Sequence, residues 1–319
     1  MLIHSHRRVP RIVLSFLLCV LLGVPVALSQ SADGEPPTDD LTKRVHALTG
    51  AGQFGEVVLT LEGVLAEDPH RALLYQPLVK NYAYLGLFDH AERRTRDLYF
   101  ENDHATLNPE DLRGGGHCRL ALIHTMQGER KETLAHVDSM LALADPEQIY
   151  PGAPTCASYF EASWGEHDRA AERYEQILGA TSGIVRADFL PWAVHVHREA
   201  GNHERADELM AEIVALRQAL EAGQLDDAIA QASEEAGGGS TQQETHKWMA
   251  QVHVLQGNEE EAVASLRRAY EAGALMRYHW WKAINPVLRP LHDTPAFEEL
   301  LADMEADIAP MRARTVERL

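Results

Sequence analysis

The chain has 319 residues and is short of aromatics (7%), of cysteine (three) and of positive charge. Runs of β-branched residues are scarce as well, while alanine, leucine and glutamate are plentiful. That balance disfavours sheets and favours helices. Lysine and arginine total 29 against 48 aspartates and glutamates, a net charge of −19. Such a surface repels nucleic acid and anionic lipid, and suits neutral or basic partners. The common catalytic signatures are missing: there is no H-E-x-x-H, no G-x-S-x-G, no Walker phosphate loop, no C-x-x-C and no calcium-loop spacing of aspartates. These absences remove the ready arguments for an enzyme without excluding one.

Long apolar runs occur once. Arg7, Arg8 and Arg11 precede the uncharged stretch Ile12–Leu28, and Ala27-Leu28-Ser29 puts small residues where a signal peptidase reads. Residues 1–29 are expected to be a secretory signal peptide cut after Ser29, which places the protein in the periplasm or cell envelope. The alternative is an uncleaved N-terminal anchor, the only membrane contact expected. Cys19 follows Leu18 rather than a small residue, against a lipoprotein processing site. Loss of the segment's three arginines would move the net charge from −19 to −22. Residues 30–40, QSADGEPPTDD, are a polar leader expected to be disordered.

From Leu41 onward the pattern is helical and punctuated by glycine. AGQFGEVV (51–58), LGLFDHAE (85–92), QGERKETL (127–134), WGEHDRAA (164–171), AGNHERAD (200–207) and QGNEEEAV (256–263) each follow about a dozen helix-patterned residues and open another set. The glycine can take the left-handed conformation that ends one helix. Five residues later stand Val57, Ala91, Thr133, Ala170, Ala206 and Ala262, small or slim where the second helix must cross the first. Gly50-Ala51-Gly52-Gln53-Phe54-Gly55 fits G-x-G-x-x-G, but a helical pattern precedes it where a dinucleotide site needs a strand.

Tyr75, Leu78, Tyr82, Gly86, Phe88 and Ala91 together resemble the tetratricopeptide repeat, a helix–turn–helix unit of 34 residues. The resemblance extends from about residue 38 to 276 and implies an all-α helix–turn–helix solenoid of about six units with a C-terminal capping segment. The expected organisation is repeats over 41–235, a glycine-rich hinge over 236–242, a last repeat over 243–276 and a cap over 277–319. A stretch around Leu225–Glu235 could be a degenerate further unit. Gly114-Gly115-Gly116 is expected to be a loop, with Asn108-Pro109 opening the next helix. Asp145–Pro154, with three prolines, reads as a turn. In the tail, Thr294 and Pro295 predict a helix start, with Phe297, Leu300, Leu301 and Met304 on one face. This tail is similar to the one that follows many bacterial tetratricopeptide arrays fused to signalling domains.

The resemblance implies a concave face lined by the first helices. Carrying its inward positions over points to Lys80, Tyr84, Tyr159, His195, Arg198 and Lys247 as peptide-binding residues. Isolated cations beside flat tyrosines suit an extended peptide carrying a carboxylate. Histidine is abundant, at 17. His124, His197 and His253 lie four before their glycines, in the slot Tyr82 fills, and read as aromatic stand-ins in helix packing. A metal cluster of His117, Cys118, His124 and Cys156 is the sharper alternative. Cys118 and Cys156 hold nearly equivalent places on neighbouring first helices. They can form a disulfide only if the near sides of those helices face each other, and two unbonded thiols are the plainer expectation.

The expectation for function is a non-enzymatic protein- or peptide-binding adaptor or scaffold of the bacterial envelope, without cofactors. A groove filled by the chain's own residues would count against it. The alternatives are a metal-dependent hydrolase using the histidine-rich helices, and an envelope sensor in which two blocks move about the glycine run.

Overall fold

A computed structural model describes residues 40–68, 71–101, 109–143, 153–223 and 241–319. The expected signal peptide and all of the leader but Asp40, which opens the first helix, lie outside the described residues. So do Pro69, Asn108, nearly all of the 145–154 turn, and 224–240 with the degenerate unit and the glycine run. Among the described residues every element is helical, and the all-α expectation holds. No helix there is long and apolar enough to cross a membrane.

Helices come in pairs: α1 (Asp40–Gly50) with α2 (Phe54–Glu67), α3 (Ala72–Tyr84) with α4 (Phe88–Arg96), and α5 (Pro109–Gln127) with α6 (Arg130–Ala142). Then come α7 (Ala153–Ser163) with α8 (His167–Ala180), α9 (Gly183–Glu199) with α10 (His203–Glu221), and α11 (Thr241–Leu255) with α12 (Glu259–Glu271). A tail of short turns, Ala274–Arg277, Trp280–Ile284 and Pro286–Leu291, leads to α13 (Pro295–Arg318). Pro295 is the first residue of that helix, while the Thr294 hydroxyl turns back to the Leu291 carbonyl at 2.7 Å instead of capping it.

Each pair is joined in one way. Gly52, Gly86, Gly128, Gly165, Gly201 and Gly257 all have φ between 71° and 82°. The amide after each glycine bonds the carbonyl five residues back, as in Leu87 to Tyr82 at 2.9 Å and Asn202 to His197 at 2.8 Å. That bond satisfies a carbonyl the ending helix would otherwise leave open, and it reverses the chain in two residues. The small residues at plus five, Val57, Ala91, Thr133, Ala170, Ala206 and Ala262, are all 0% exposed. They are where the two helices touch.

Neighbouring pairs are also clasped by buried polar groups. Tyr82 donates to Glu62 at 2.6 Å, and Arg94 grips the same carboxylate. His197 meets Glu175 at 3.0 Å, and Arg205 grips that one at 2.8 and 3.0 Å. Within the fourth pair Glu161, 0% exposed, is held by Arg173 at 2.5 Å and Arg169 at 2.9 Å.

One sequence expectation needs correction, and three other stretches pack in ways the sequence did not show. Gly114–Gly116 lies inside α5, not in a loop. A Cβ on Gly116 would stand 2.6 Å from Tyr99 Cβ and 2.8 Å from the Phe100 ring, so glycine is there to let α5 pass the turn after α4. Gly55, the last glycine of the G-x-G-x-x-G, likewise admits α13: its Cβ would lie 2.5 Å from Thr315 Oγ1. The described residues on the two sides of the expected 236–242 hinge are in contact. The helix α11 starts at Thr241 and packs on α9, with Trp248 donating to the Ala187 carbonyl at 2.9 Å and Lys247 paired to Asp188. Finally, the tail is not merely a cap on the last pair. It runs across α5, α7, α9, α11 and α12, and α13 returns to α2 at the other end of the chain. Arg312 donates to the Leu85 carbonyl, and Arg318 pairs with Glu56 at 3.0 Å.

Candidate functional site

The tail occupies the face that the first helices line. Trp280 packs on Tyr159 at 5.4 Å and Trp192 at 6.0 Å, and Tyr159 meets Trp192 edge-on at 4.5 Å. Ser163 donates to the Ile284 carbonyl, and Arg289 donates to the Ser163 carbonyl. Trp281, Leu288 and Leu291 are 0% exposed and Val287 1%. At about 1.5–3 kcal/mol per buried side chain, these four alone contribute about 6–12 kcal/mol gross. That is comparable to the whole net stability of a typical protein, so the tail is part of the core and not a strap that opens.

The sequence-picked residues divide accordingly. Tyr159 is 3% exposed and sealed under Trp280. Lys247, 8% exposed, pairs with Glu244 at 2.5 Å and Asp188 at 3.1 Å. Arg198 donates to the Leu255 carbonyl at 3.0 Å and fastens α9 to the end of α11. His195 faces His167 at 5.8 Å, and burial, then His167 and Arg289, bring its pKa down to about 4. These four residues are used within the fold. Lys80 and Tyr84 differ. Both are half-buried and line a cavity of about 60 Å3 between α3, α5 and the tail.

Sequence reasoning missed three partners in that cavity: Arg119, Arg277 and Trp280. Arg119 follows Cys118 on a first helix, and the inward positions carried over by resemblance do not include it. Arg277 and Trp280 belong to the tail, which carries no repeat register. Arg277 is bonded to Glu244 at 2.9 Å, and its side chain is only 13% exposed. Glu244 sits between Lys247 and Arg277, and the two cations hold its pKa down at about 2 against the opposing effect of burial.

The metal alternative finds no support in the geometry. Among the described residues no group of three or more His, Cys, Asp or Glu is placed to hold a metal ion. Cys118 and Cys156 are joined in a disulfide with α-carbons 6.1 Å apart. The expectation of two separate thiols is therefore corrected: α5 and α7 present their near sides to each other. His117 and His124 are bridged by His136 of α6, whose Nδ1 lies 2.9 Å from His117 Nδ1 and whose ring stacks on His124 at 5.3 Å. His124 and His197 are 6% and 4% exposed, as packed aromatics would be, and each also bonds a glutamate.

No protein-family model matches the chain, and no curated protein matches it in sequence. The functional reading rests on the helices and on what they bring together.

Proposed function

We propose that the protein is a tetratricopeptide-type solenoid of six units, exported to the bacterial envelope, that serves as a non-enzymatic protein-binding scaffold. The observation that carries the reading is the treatment of the tail. The first helices and a proline-containing stretch of short helical turns are joined by side chain to main chain hydrogen bonds in both directions and by an aromatic clasp, and such a face has the means to hold a partner peptide. The same observation counts against an open groove, because the occupant is the chain's own and is buried. Partner contact is accordingly placed at the open edge beside Lys80 and Tyr84 and on the outer second helices.

The test is affinity capture from an envelope fraction, with the normal protein beside a Lys80→Ala/Tyr84→Ala variant. A protein captured by the first and lost by the second supports the scaffold and its edge. One held equally by both supports the scaffold and moves contact to the outer surface. No specific capture by either refutes the reading.

One contact favours a second reading, a pH-responsive envelope module. His117 and His136 share a nitrogen–nitrogen contact of 2.9 Å, which needs one neutral ring. Identical X-ray scattering curves from mildly acidic to mildly basic pH would dispose of it.

A further inference from the structure

The third helix pair is held differently from its neighbours. Pairs one and two are clasped by Glu62, which stands ten residues after Gly52 and meets Tyr82 at 2.6 Å. Pairs four and five are clasped by Glu175, ten after Gly165, which meets His197 at 3.0 Å. In each case an arginine, Arg94 or Arg205, shares the carboxylate. The same places around the third pair do not match. Ten after Gly86 is Arg96, and the slot that would face it holds His124. Each turns to its own pair: Arg96 bonds Glu92 at 2.7 Å, and His124 bonds Glu129 at 2.6 Å. Ten after Gly128 is Asp138, and its counterpart is Glu161, a second carboxylate. Arg169 bridges these two at 2.8 and 2.9 Å, and Arg130 pairs with Glu166 at 2.5 Å. Asp138 and Arg130 are exposed, and ion pairs open to water contribute little. In the interior, pairs three and four meet through a cluster rich in small side chains, Ala121, Ala153 and Ala157 among them, and through a Trp164 to Thr125 bond of 3.4 Å. The covalent link there is the Cys118–Cys156 disulfide, between α5 and α7.

We propose that this bridge is a redox switch for the third pair. Closed, it locks α5 and α6 to α7; reduced by a dithiol, it lets that pair open locally while the clasped pairs stay shut. Cys118 is half-buried and Cys156 only 1% exposed, so attack falls on Cys118 Sγ. The attacking thiolate forms a mixed disulfide there, and Cys156 leaves and takes up a proton. The reagent's second thiolate then displaces Cys118, which is protonated in turn, and the reagent departs as a disulfide. An oxidising compartment keeps the bridge and a reducing one removes it. The consequence for a partner rests on the scaffold reading, because α5 supplies Leu122, Ile123 and Met126 to the wall beside Lys80 and Tyr84. The opening itself does not rest on it.

Amide hydrogen exchange read by mass spectrometry at pH 7.5 tests the opening. It compares the oxidised protein, the protein reduced with dithiothreitol, and Cys118→Ser/Cys156→Ser without reductant. On reduction, amides of 117–143 are expected to lose protection at least about tenfold further than those of α2 and α10. The double variant is expected to match the reduced protein. Equal losses in every helix pair would show that the bridge holds the whole fold and not one unit, and would overturn the proposal. Unchanged protection of 117–143, with two free thiols counted by alkylation, would overturn it as well. The experiment needs no partner, so its failure and the failure of the scaffold reading are told apart.

Discussion

Mild acid should unfold this protein well before its carboxylates titrate. His136, His195 and His279 each have a pKa lowered from 6.5 to about 4. Burial is the main cause in all three. It is joined by His117 and His124 around His136, by His167 and Arg289 around His195, and by Lys282 and Arg312 around His279. Each ring therefore binds its proton more weakly in the folded chain than in the unfolded one. Between pH 6.5 and 4 the unfolded chain carries the extra protons, so stability falls as pH falls through that window. At pH 5 a site with these two pKa values contributes about 2 kcal/mol of destabilisation relative to pH 7.5. Three such sites give about 6 kcal/mol, a large part of a typical net stability. His117, His167, His197 and His253 shift in the same direction and add to the effect.

The carboxylates lie in a different window. Glu62, Glu175, Glu212 and Glu305 have lowered pKa values through their arginine partners, so the stability they contribute is lost only below about pH 4.5. Urea unfolding at pH 7.5, 6.5, 5.5 and 5.0 isolates the histidines. With a slope near 3 kcal/mol/M, the midpoint is expected to fall by about 2 M across the series. His279→Gln should remove about a third of that fall. A midpoint that stays within roughly 0.3 M from pH 7.5 to 5.0 would refute the reasoning, since it would mean that these rings titrate alike in both states.

Three further outcomes follow from particular contacts. Glu161→Gln leaves Arg173 and Arg169 without their buried carboxylate and should cost about 3 kcal/mol in urea unfolding; a cost below roughly 1 kcal/mol would mean the clasp is not structural. Gly55→Ala drives a methyl into Thr315 and should destabilise by about 1–3 kcal/mol while exposing 311–318 to protease, whereas Gly63→Ala, with open space around it in the same helix, should stabilise by about 0.5–1 kcal/mol. Opening the disulfide by Cys118→Ser/Cys156→Ser releases a 38-residue separation and should cost about 4 kcal/mol by the chain-entropy relation, read as a lower thermal midpoint.

What could be read in the sequence is what the backbone demands. A left-handed turn needs glycine, and a close crossing needs a small side chain. Those two requirements alone located the six junctions, Gly52 to Gly257 with Val57 to Ala262. What could not be read depends on side chains meeting across long separations. Gly116 resembles a loop residue until Tyr99 and Phe100 are seen against it. The tail looks like a lid because its apolar residues must cover something. Nothing local says that they cover α5, α7, α9 and α11 and not only the last pair. Lys80 and Tyr84 came from the inward register of one helix. Arg277 reached the same cavity from nearly two hundred residues away, through a segment with no register at all.

The slot four before each turn glycine shows how a repeat can persist without a shared residue. It holds Leu48, Tyr82, His124, Glu161, His197 and His253. In every case the backbone carbonyl of that residue accepts the turn bond, at 2.8–2.9 Å. Any side chain can satisfy that requirement. The side chain has a second task, to meet a neighbouring group from inside the core, and several chemistries serve. Tyr82 and His197 each meet a glutamate of the preceding pair, and Glu161 meets two arginines of its own pair. Tyrosine, histidine and glutamate differ in sequence terms, yet each brings a polar atom to a buried site and has it bonded there, which is the condition for burying it at all. Only glycine and the small residue are fixed by geometry, and two positions in each helix pair are a faint pattern. The histidines that fill the packing slots are also what ties the fold to pH, because an aromatic stand-in that can take a proton makes a core position titratable.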